Sequence, residues 1–401
     1  MSSTSRSADQ EAWAEVEEWF EEEAEDPSIS QPDATLDPAV KYARSQLRVV
    51  RETKDYQLDY LRHALEPERK KINTSPAYQR RLRWTTKKRS LLIESFLLNI
   101  PVPPIFLFEH DYNEYEVIDG RQRLESIKEF LNNNFALAGL EYWSELERKR
   151  FNDLPAVLQK GLLRRSLSAV VLLAETREAE EDDLDVRRVL FDRLNTGGIR
   201  LNPQELRNAL YPGPLNALLI SLARLPVFTS TWNIPSYNPG EEVEPSEALL
   251  KNALYSSLAD AELVLRFFAL RDAIQHNRAG SLRRILDRFM EENSNVDQSV
   301  LNLLRHEFED LLCRLALVFE GKPFRLPRSN RISRPLYDAL MIALSLNPMI
   351  DLQSNKVAVQ QALAAALEDN AKYDILVGRG NTIESVRERV QLADKILHSG
   401  I

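Results

Sequence analysis

The chain has 401 residues, 43% of them hydrophobic and 28% charged, the balance of a globular protein of about two domains. No apolar run approaches the roughly 20 residues of a membrane helix, and no signal-peptide core follows the polar N-terminus, so a cytoplasmic protein without membrane contact is expected. The single cysteine, Cys313, excludes an internal disulfide and a cysteine-built metal site; its leucine-rich helical surroundings predict a core position.

The net charge of −9 is uneven. Residues 1–37 carry twelve acidic side chains against one basic one, Arg6, so the remaining chain is close to +2 and does not repel nucleic acid. Two readings fit this acidic segment. One is a disordered, solvated tail over 1–37. The other is a short amphipathic helix, with Trp13, Val16 and Phe20 on one face, that docks on a partner or on a basic groove of the same protein.

Residues 38–180 read as a mixed α and β unit. A helix is expected over Lys41–Arg51, with short strands near Tyr56–Leu58 and Lys71–Ile72. Residues 69–89 hold nine Lys or Arg and no acid, interleaved with Tyr78 and Trp84. That pattern suits phosphate or a nucleic-acid backbone, and equally a solvated basic face. Leu91–Leu98 is helical until Pro101, Pro103 and Pro104 forbid continuation. Ile105–Glu109 and Tyr115–Ile118 read as strands around a polar turn at His110–Glu114.

Val117-Ile118-Asp119-Gly120-Arg121-Gln122-Arg123 follows as strand, tight turn and helix start. Two arginines in a first helical turn oppose the helix dipole. A bound phosphate would explain them, since it accepts bonds from free backbone N–H groups and guanidinium forks together. Asp119 would then hold a magnesium ion or orient a water. A solvated helix start with Asp119 as N-cap explains the same residues. The helix runs over Arg121–Leu131, with Leu124, Ile127 and Leu131 on one face, and a strand is expected at Leu167–Leu173.

From residue 181 to 401 helical periodicity dominates, which predicts an all-helical second domain. Its helices are expected at Leu184–Leu194, Pro203–Leu210, Leu215–Leu225, Glu262–Gln275, Leu282–Met290 and Val300–Phe319, then Leu336–Leu346, Val357–Leu367 and Ile383–Leu397. Gly197 and Gly198 close one helix; Asn202, Pro203 and Glu205 open the next with a capping box. Asn195, Thr196, Gln204, Arg207 and Asn208 around that turn suggest a polar cleft. Lys322–Arg334, with arginines at 325, 328, 331 and 334, reads as an exposed basic loop suited to a nucleic-acid backbone. No P-loop, metal-spaced histidines or HNH nuclease motif is found.

Several of these segments, in order, resemble one family. Tyr78-Gln79-Arg80 with Trp84, Pro103–Leu107, Val117–Arg123, Phe191–Gly198, Leu201–Asn208, Glu262–Leu270 and Phe324-Arg325 are similar to the N-terminal domain of GmrSD-type type IV restriction endonucleases. The resemblance covers about residues 55 to 345. It implies an α+β fold, with a ParB/sulfiredoxin-like mixed-sheet domain bearing a D-G-Q-Q-R motif, followed by helices. It also implies a module that binds and hydrolyses a nucleoside triphosphate (NTP) with Mg2+, and that regulates a DNA-targeting, anti-phage system.

Carried over by position, Asp119 and Gln122 are catalytic, with Asp119 also the metal ligand. Gly120, Arg121, Arg123, Tyr78, Gln79, Arg80, Asn195 and Thr196 hold the nucleotide. Lys87, Lys88, Arg325 and Arg328 are expected to contact DNA. Arg121 stands where the family usually has Gln, which favours triphosphate binding over turnover. The absence of an HNH motif leads to the expectation that a separate nuclease or effector subunit cleaves. A non-catalytic DNA-binding module using residues 69–89 and 322–334 is the alternative.

Overall fold

The computed structural model describes residues 3–24, 51–66, 71–73, 84–173, 202–242, 245–327, 329, 331–378, 380 and 382–399. These fall into two compact units. One lies between residues 35 and 201; the other joins residues from 202 onward to the N-terminal helix. The helices expected over Lys41–Arg51 and Leu184–Leu194 lie outside the described residues, except Arg51, which opens a strand.

The first unit is built on a five-stranded mixed sheet. Its strands are β1 (Arg51–Gln57), β2 (Ile72–Asn73), β3 (Ile105–Asp111), β4 (Glu114–Asp119) and β5 (Ser166–Leu172), in the order β1-β5-β3-β4-β2. β3 pairs antiparallel with β4 and parallel with β5, whereas β1 runs antiparallel to β5 along the edge. Period-2 alternation sends Ile105 and Leu107 of β3, and Leu167, Ala169 and Val171 of β5, into the core. The β3–β4 turn is tighter than expected, with Asn113 at φ 59 donating its N–H to the Glu109 carboxylate at 2.9 Å. β1 is polar along most of its length, which is why only its Tyr56 end reads as strand in the sequence.

Among the described residues four α-helices complete this core: α2 (Leu58–Ala64), α3 (Thr86–Leu98), α4 (Arg121–Leu131) and α5 (Ala156–Leu163). α4 has the bounds its periodicity predicts, and buries Leu124, Ile127, Phe130 and Leu131 against α2 and α3. Each such side chain contributes roughly 1.5–3 kcal/mol of gross burial. α3 begins earlier than expected because the Thr85 hydroxyl accepts from the N–H of Lys88. Its Glu94 is buried, and accepts the backbone N–H groups of Glu141, Tyr142 and Trp143 at 2.8–3.1 Å. Burial works to raise the pKa of this carboxyl, but the three backbone donors outweigh it and hold it below the ordinary carboxylate value.

The second unit is helical. It contains α6 (Pro203–Leu210), α7 (Pro214–Leu222), α8 (Pro226–Thr231), α9 (Glu247–Lys251), α10 (Ala253–Ser256) and α11 (Ala259–Gln275). It continues with α12 (Leu282–Glu292), α13 (Gln298–Val318), α14 (Arg334–Leu346), α15 (Lys356–Glu368), α16 (Asn370–Val377) and α17 (Ile383–Leu397). α11 is buried on every side from Ala259 to Leu270, as a helix at the centre of a bundle must be. The buried Arg266 of α11 donates to both carboxylate oxygens of Asp338 in α14, so even this core carries a charge pair. Cys313 is exposed, contrary to the core position expected for it. The buried stripe of α13 passes through Leu301, Phe308, Leu311, Leu312, Leu315 and Val318 and leaves residue 313 outside.

The acidic segment is helical over α1 (Ser3–Ala24), and packs on α10 and neighbouring helices of this unit rather than forming a solvated tail there. Val16 and Phe20 are buried against Ala253 and Ala259, with Trp13 and Trp19 beside them. That apolar anchorage offsets the ordering of a segment whose charge alone would keep it in solution.

Candidate functional site

The turn between β4 and α4 gathers the residues singled out by sequence. Gly120 sits at φ 95, a left-handed conformation that side chains rarely adopt. A Cβ placed there would lie 2.2 Å from Cγ2 of Ile105, so the turn needs glycine for space as well as for φ. Gly120, not Asp119, is the N-cap of α4, and no side chain caps the helix start. The first turn therefore presents uncapped backbone donors and the positive end of the helix dipole.

The two arginines are held by nearby acids. The Nη2 of Arg123 donates to Oδ2 of Asp119 at 2.7 Å and to the Pro104 carbonyl at 3.2 Å. Its Nε is buried and has no hydrogen-bond partner among the described residues. Arg121 donates through Nε to Glu125 at 2.6 Å, one turn further along α4. A buried N–H without an acceptor is a cost that a phosphate oxygen would remove.

Gln122 points inward. Its side-chain oxygen accepts the backbone N–H of Trp84 at 3.1 Å, joining two segments 38 residues apart. The ammonium of Lys88 lies 4.7 Å from the centre of the Trp84 ring. The structure thus joins Trp84, Gln122 and Lys88 beside the start of α4. Lys87 and Lys88 are both exposed on the first turn of α3, with Lys87 lying along Gly139. Sequence reasoning missed the Trp84–Gln122 link; the family pattern names both residues but no periodicity connects them.

Tyr78, Gln79, Arg80, Asn195, Thr196 and Arg328 lie outside the described residues. Arg325 belongs to the helical unit, where it pairs across a small hairpin with Ile332 and donates to Asn233 at 3.3 Å. The basic segment 322–334 is less loop-like than expected, since Phe324 is fully buried and Arg334 opens α14. In α6, the capping box of Asn202 and Glu205 forms as predicted, with both bonds at 2.8–3.0 Å. Gln204, Arg207 and Asn208 are buried rather than lining an open cleft. Arg207 donates to Asp287 at 2.8 Å, and Asn208 accepts from Asn216 at 2.5 Å.

Among the described residues no group of three His, Cys, Asp or Glu side chains is arranged to hold a metal, and no helix is long and apolar enough to cross a membrane. Asp119 spends one carboxylate oxygen on Arg123, and Glu125 is engaged with Arg121. That donor set fits a magnesium ion arriving on a triphosphate, held mostly by phosphate oxygens and water, better than a resident ion in a protein cage.

Residues 61–212 match the family model of the GmrSD restriction endonuclease N-terminal domain. The match includes β2 to β5, the Gly120 turn and α6. The Glu262–Leu270 and Phe324-Arg325 segments, expected from the sequence to belong to the family pattern, lie beyond it. No curated protein and no solved structure matches the chain.

Proposed function

We propose, taking the GmrSD-type domain at residues 61–212 as premise, that this chain is the nucleotide-binding component of a restriction system and that its Gly120 turn receives the phosphates of an NTP. The observation that carries this reading is Arg123. Its guanidinium is fixed by Asp119 and the Pro104 carbonyl, with a buried Nε lacking an acceptor, at a helix start that has no capping side chain. Phosphate oxygens meet the α4 backbone donors and the Arg123 fork; Arg121 turns from Glu125 to the same charge.

Asp119 is the residue that would hold a Mg2+ accompanying the triphosphate, and such an ion would supply charge neutralisation on the phosphates. Gln122 acts here as a positioning residue: its bond to Trp84 fixes the first turn of α4 relative to Lys88. Hydrolysis follows from the family reading and rests on Asp119 as the residue that would hold the ion.

Isothermal calorimetry tests the binding half. One charge-assisted contact is worth roughly 1.5–3 kcal/mol, so Arg123→Ala is expected to weaken NTP binding about 10- to 100-fold, with Arg123→Lys intermediate. Unchanged affinity in Arg123→Ala removes the assignment. Phosphate release, measured with and without DNA on wild type and Asp119→Ala, tests turnover. The exposed Lys87 and Lys88 favour a second reading, a DNA-binding module without catalysis. DNA binding with no phosphate release above the Asp119→Ala background would select it.

A further inference from the structure

The inward face of α1 is acidic. Glu15, Glu18, Trp19 and Glu22 follow the i, i+3, i+4, i+7 spacing of one helix stripe and are all partly buried, whereas Glu11, Glu17 and Glu21 are exposed. An amphipathic helix docked only by its apolar residues would turn its carboxylates outward. Here they meet arginines. Glu15 pairs with Arg331 at 3.0 Å, and Glu22 pairs with Arg334 at 2.8 Å, across 312 residues of sequence. Arg334 also lies 5.0 Å from the centre of the Trp19 ring and donates to the Trp19 carbonyl at 3.4 Å.

The receiving surface is built for anions before α1 is considered. Arg334 is the first residue of α14, where its charge opposes the helix dipole. Burial, and then the neighbouring Arg266, lower its pKa to about 10, against the pull of Glu262, Asp338 and then Glu22 of α1. Arg331 is held beside it by the hairpin, in which the Leu326 N–H donates to the Arg331 carbonyl at 2.8 Å.

The helix presents to this surface what a nucleic-acid strand would. Glu15, Glu18 and Glu22 spread three negative charges over about 10.5 Å of helix axis. Successive phosphates of one strand rise about 3.4 Å each, so the same length holds three to four of them. An indole under a guanidinium repeats the stacking that an arginine makes on a base.

We propose that the Arg331–Arg334 surface of the helical unit binds a nucleic-acid strand, and that α1 occupies it in the free protein as a built-in mimic, so that α1 and nucleic acid exclude one another. The proposal is independent of the nucleotide reading of the Gly120 turn.

The test compares two full-length double variants that remove the same charge. E15Q/E22Q neutralises the carboxylates paired with Arg331 and Arg334 and keeps Val16 and Phe20 as anchors; E17Q/E21Q neutralises exposed positions. Binding of a labelled mixed-sequence oligonucleotide is followed by fluorescence anisotropy over a salt series. The inward variant is expected to bind about tenfold more tightly than wild type, with its log-affinity against log-salt slope steeper by about two. Adding Arg331→Ala returns roughly half of that slope. The outward variant stays near wild type.

Equal behaviour of the two double variants, both unchanged or both tighter, overturns the proposal, because occlusion predicts a difference between faces. Should the inward variant fail to fold, hydrogen exchange of wild-type Ser3–Ala24 decides. Loss of protection at saturating oligonucleotide supports displacement, and unchanged or increased protection refutes it.

Discussion

Both units place arginine at a helix start, against the dipole, but they compensate the charge differently. At α4 the compensation is local: Asp119 ends the preceding strand, Glu125 stands one turn along, and each pairs with its arginine four residues away. At α14 it is imported: Glu22 comes from the far end of the chain. Local compensation travels with the element and can only be exchanged for another anion at the same spot. Imported compensation can be withdrawn when its helix leaves, with Glu262 and Asp338 of the bundle remaining near Arg334. Glu94 shows a third solution, a carboxylate neutralised by backbone N–H groups alone, which neither exchanges nor leaves.

The comparison breaks first at Gly120. Gly120→Ala forces a left-handed residue and a clash with Ile105 together, and is expected to destabilise the sheet unit by about 3 kcal/mol in urea unfolding while abolishing NTP binding. A stability equal to wild type would show that the turn reshapes freely and that the arginine geometry is not fixed by it.

Glu94→Gln tests the backbone-neutralised case and should cost about 2 kcal/mol at neutral pH. Its folded pKa lies below its unfolded one. The stabilisation is therefore complete above the unfolded value and disappears as pH falls through the folded value. The wild-type advantage over Glu94→Gln should accordingly shrink in acid; a constant gap from neutral to acidic pH would contradict the assignment.

Glu22→Gln probes imported compensation. Trp19 and the more distant Glu262, 4.0 Å away, still face Arg334, so the expected cost is smaller, about 1 kcal/mol. A larger loss than that of Glu94→Gln would mean that α1 is fixed structure rather than a removable cover.

What could be read in advance follows the same division. α4, α6 and α17 have the bounds that their apolar period or capping residues predict, because those signals lie within a few residues of the elements they define. The spacing of Trp13, Val16 and Phe20 marks a helix face; nothing in the local sequence says that Arg334 awaits its stripe of glutamates. Glu94 is invisible for the same reason, since its partners lie 47 to 49 residues away and are backbone groups, which carry no residue-type signal. Gln122 belongs to a recognisable motif, yet its inward bond to Trp84 emerges only when α3 and α4 pack. Short helices such as α2, α8 and α10 escape because fewer than two turns give periodicity too little length.

The exposure of Cys313 has a practical consequence. The chain's one cysteine stands on the outer side of α13, giving a single chemically unique handle for a maleimide dye. Burial of part of the thiol, and then the nearby Glu309 and Asp310, raise its pKa, so coupling goes faster somewhat above neutral pH. Mixing donor-labelled with acceptor-labelled protein would then report whether copies of the chain associate, without introducing a mutation.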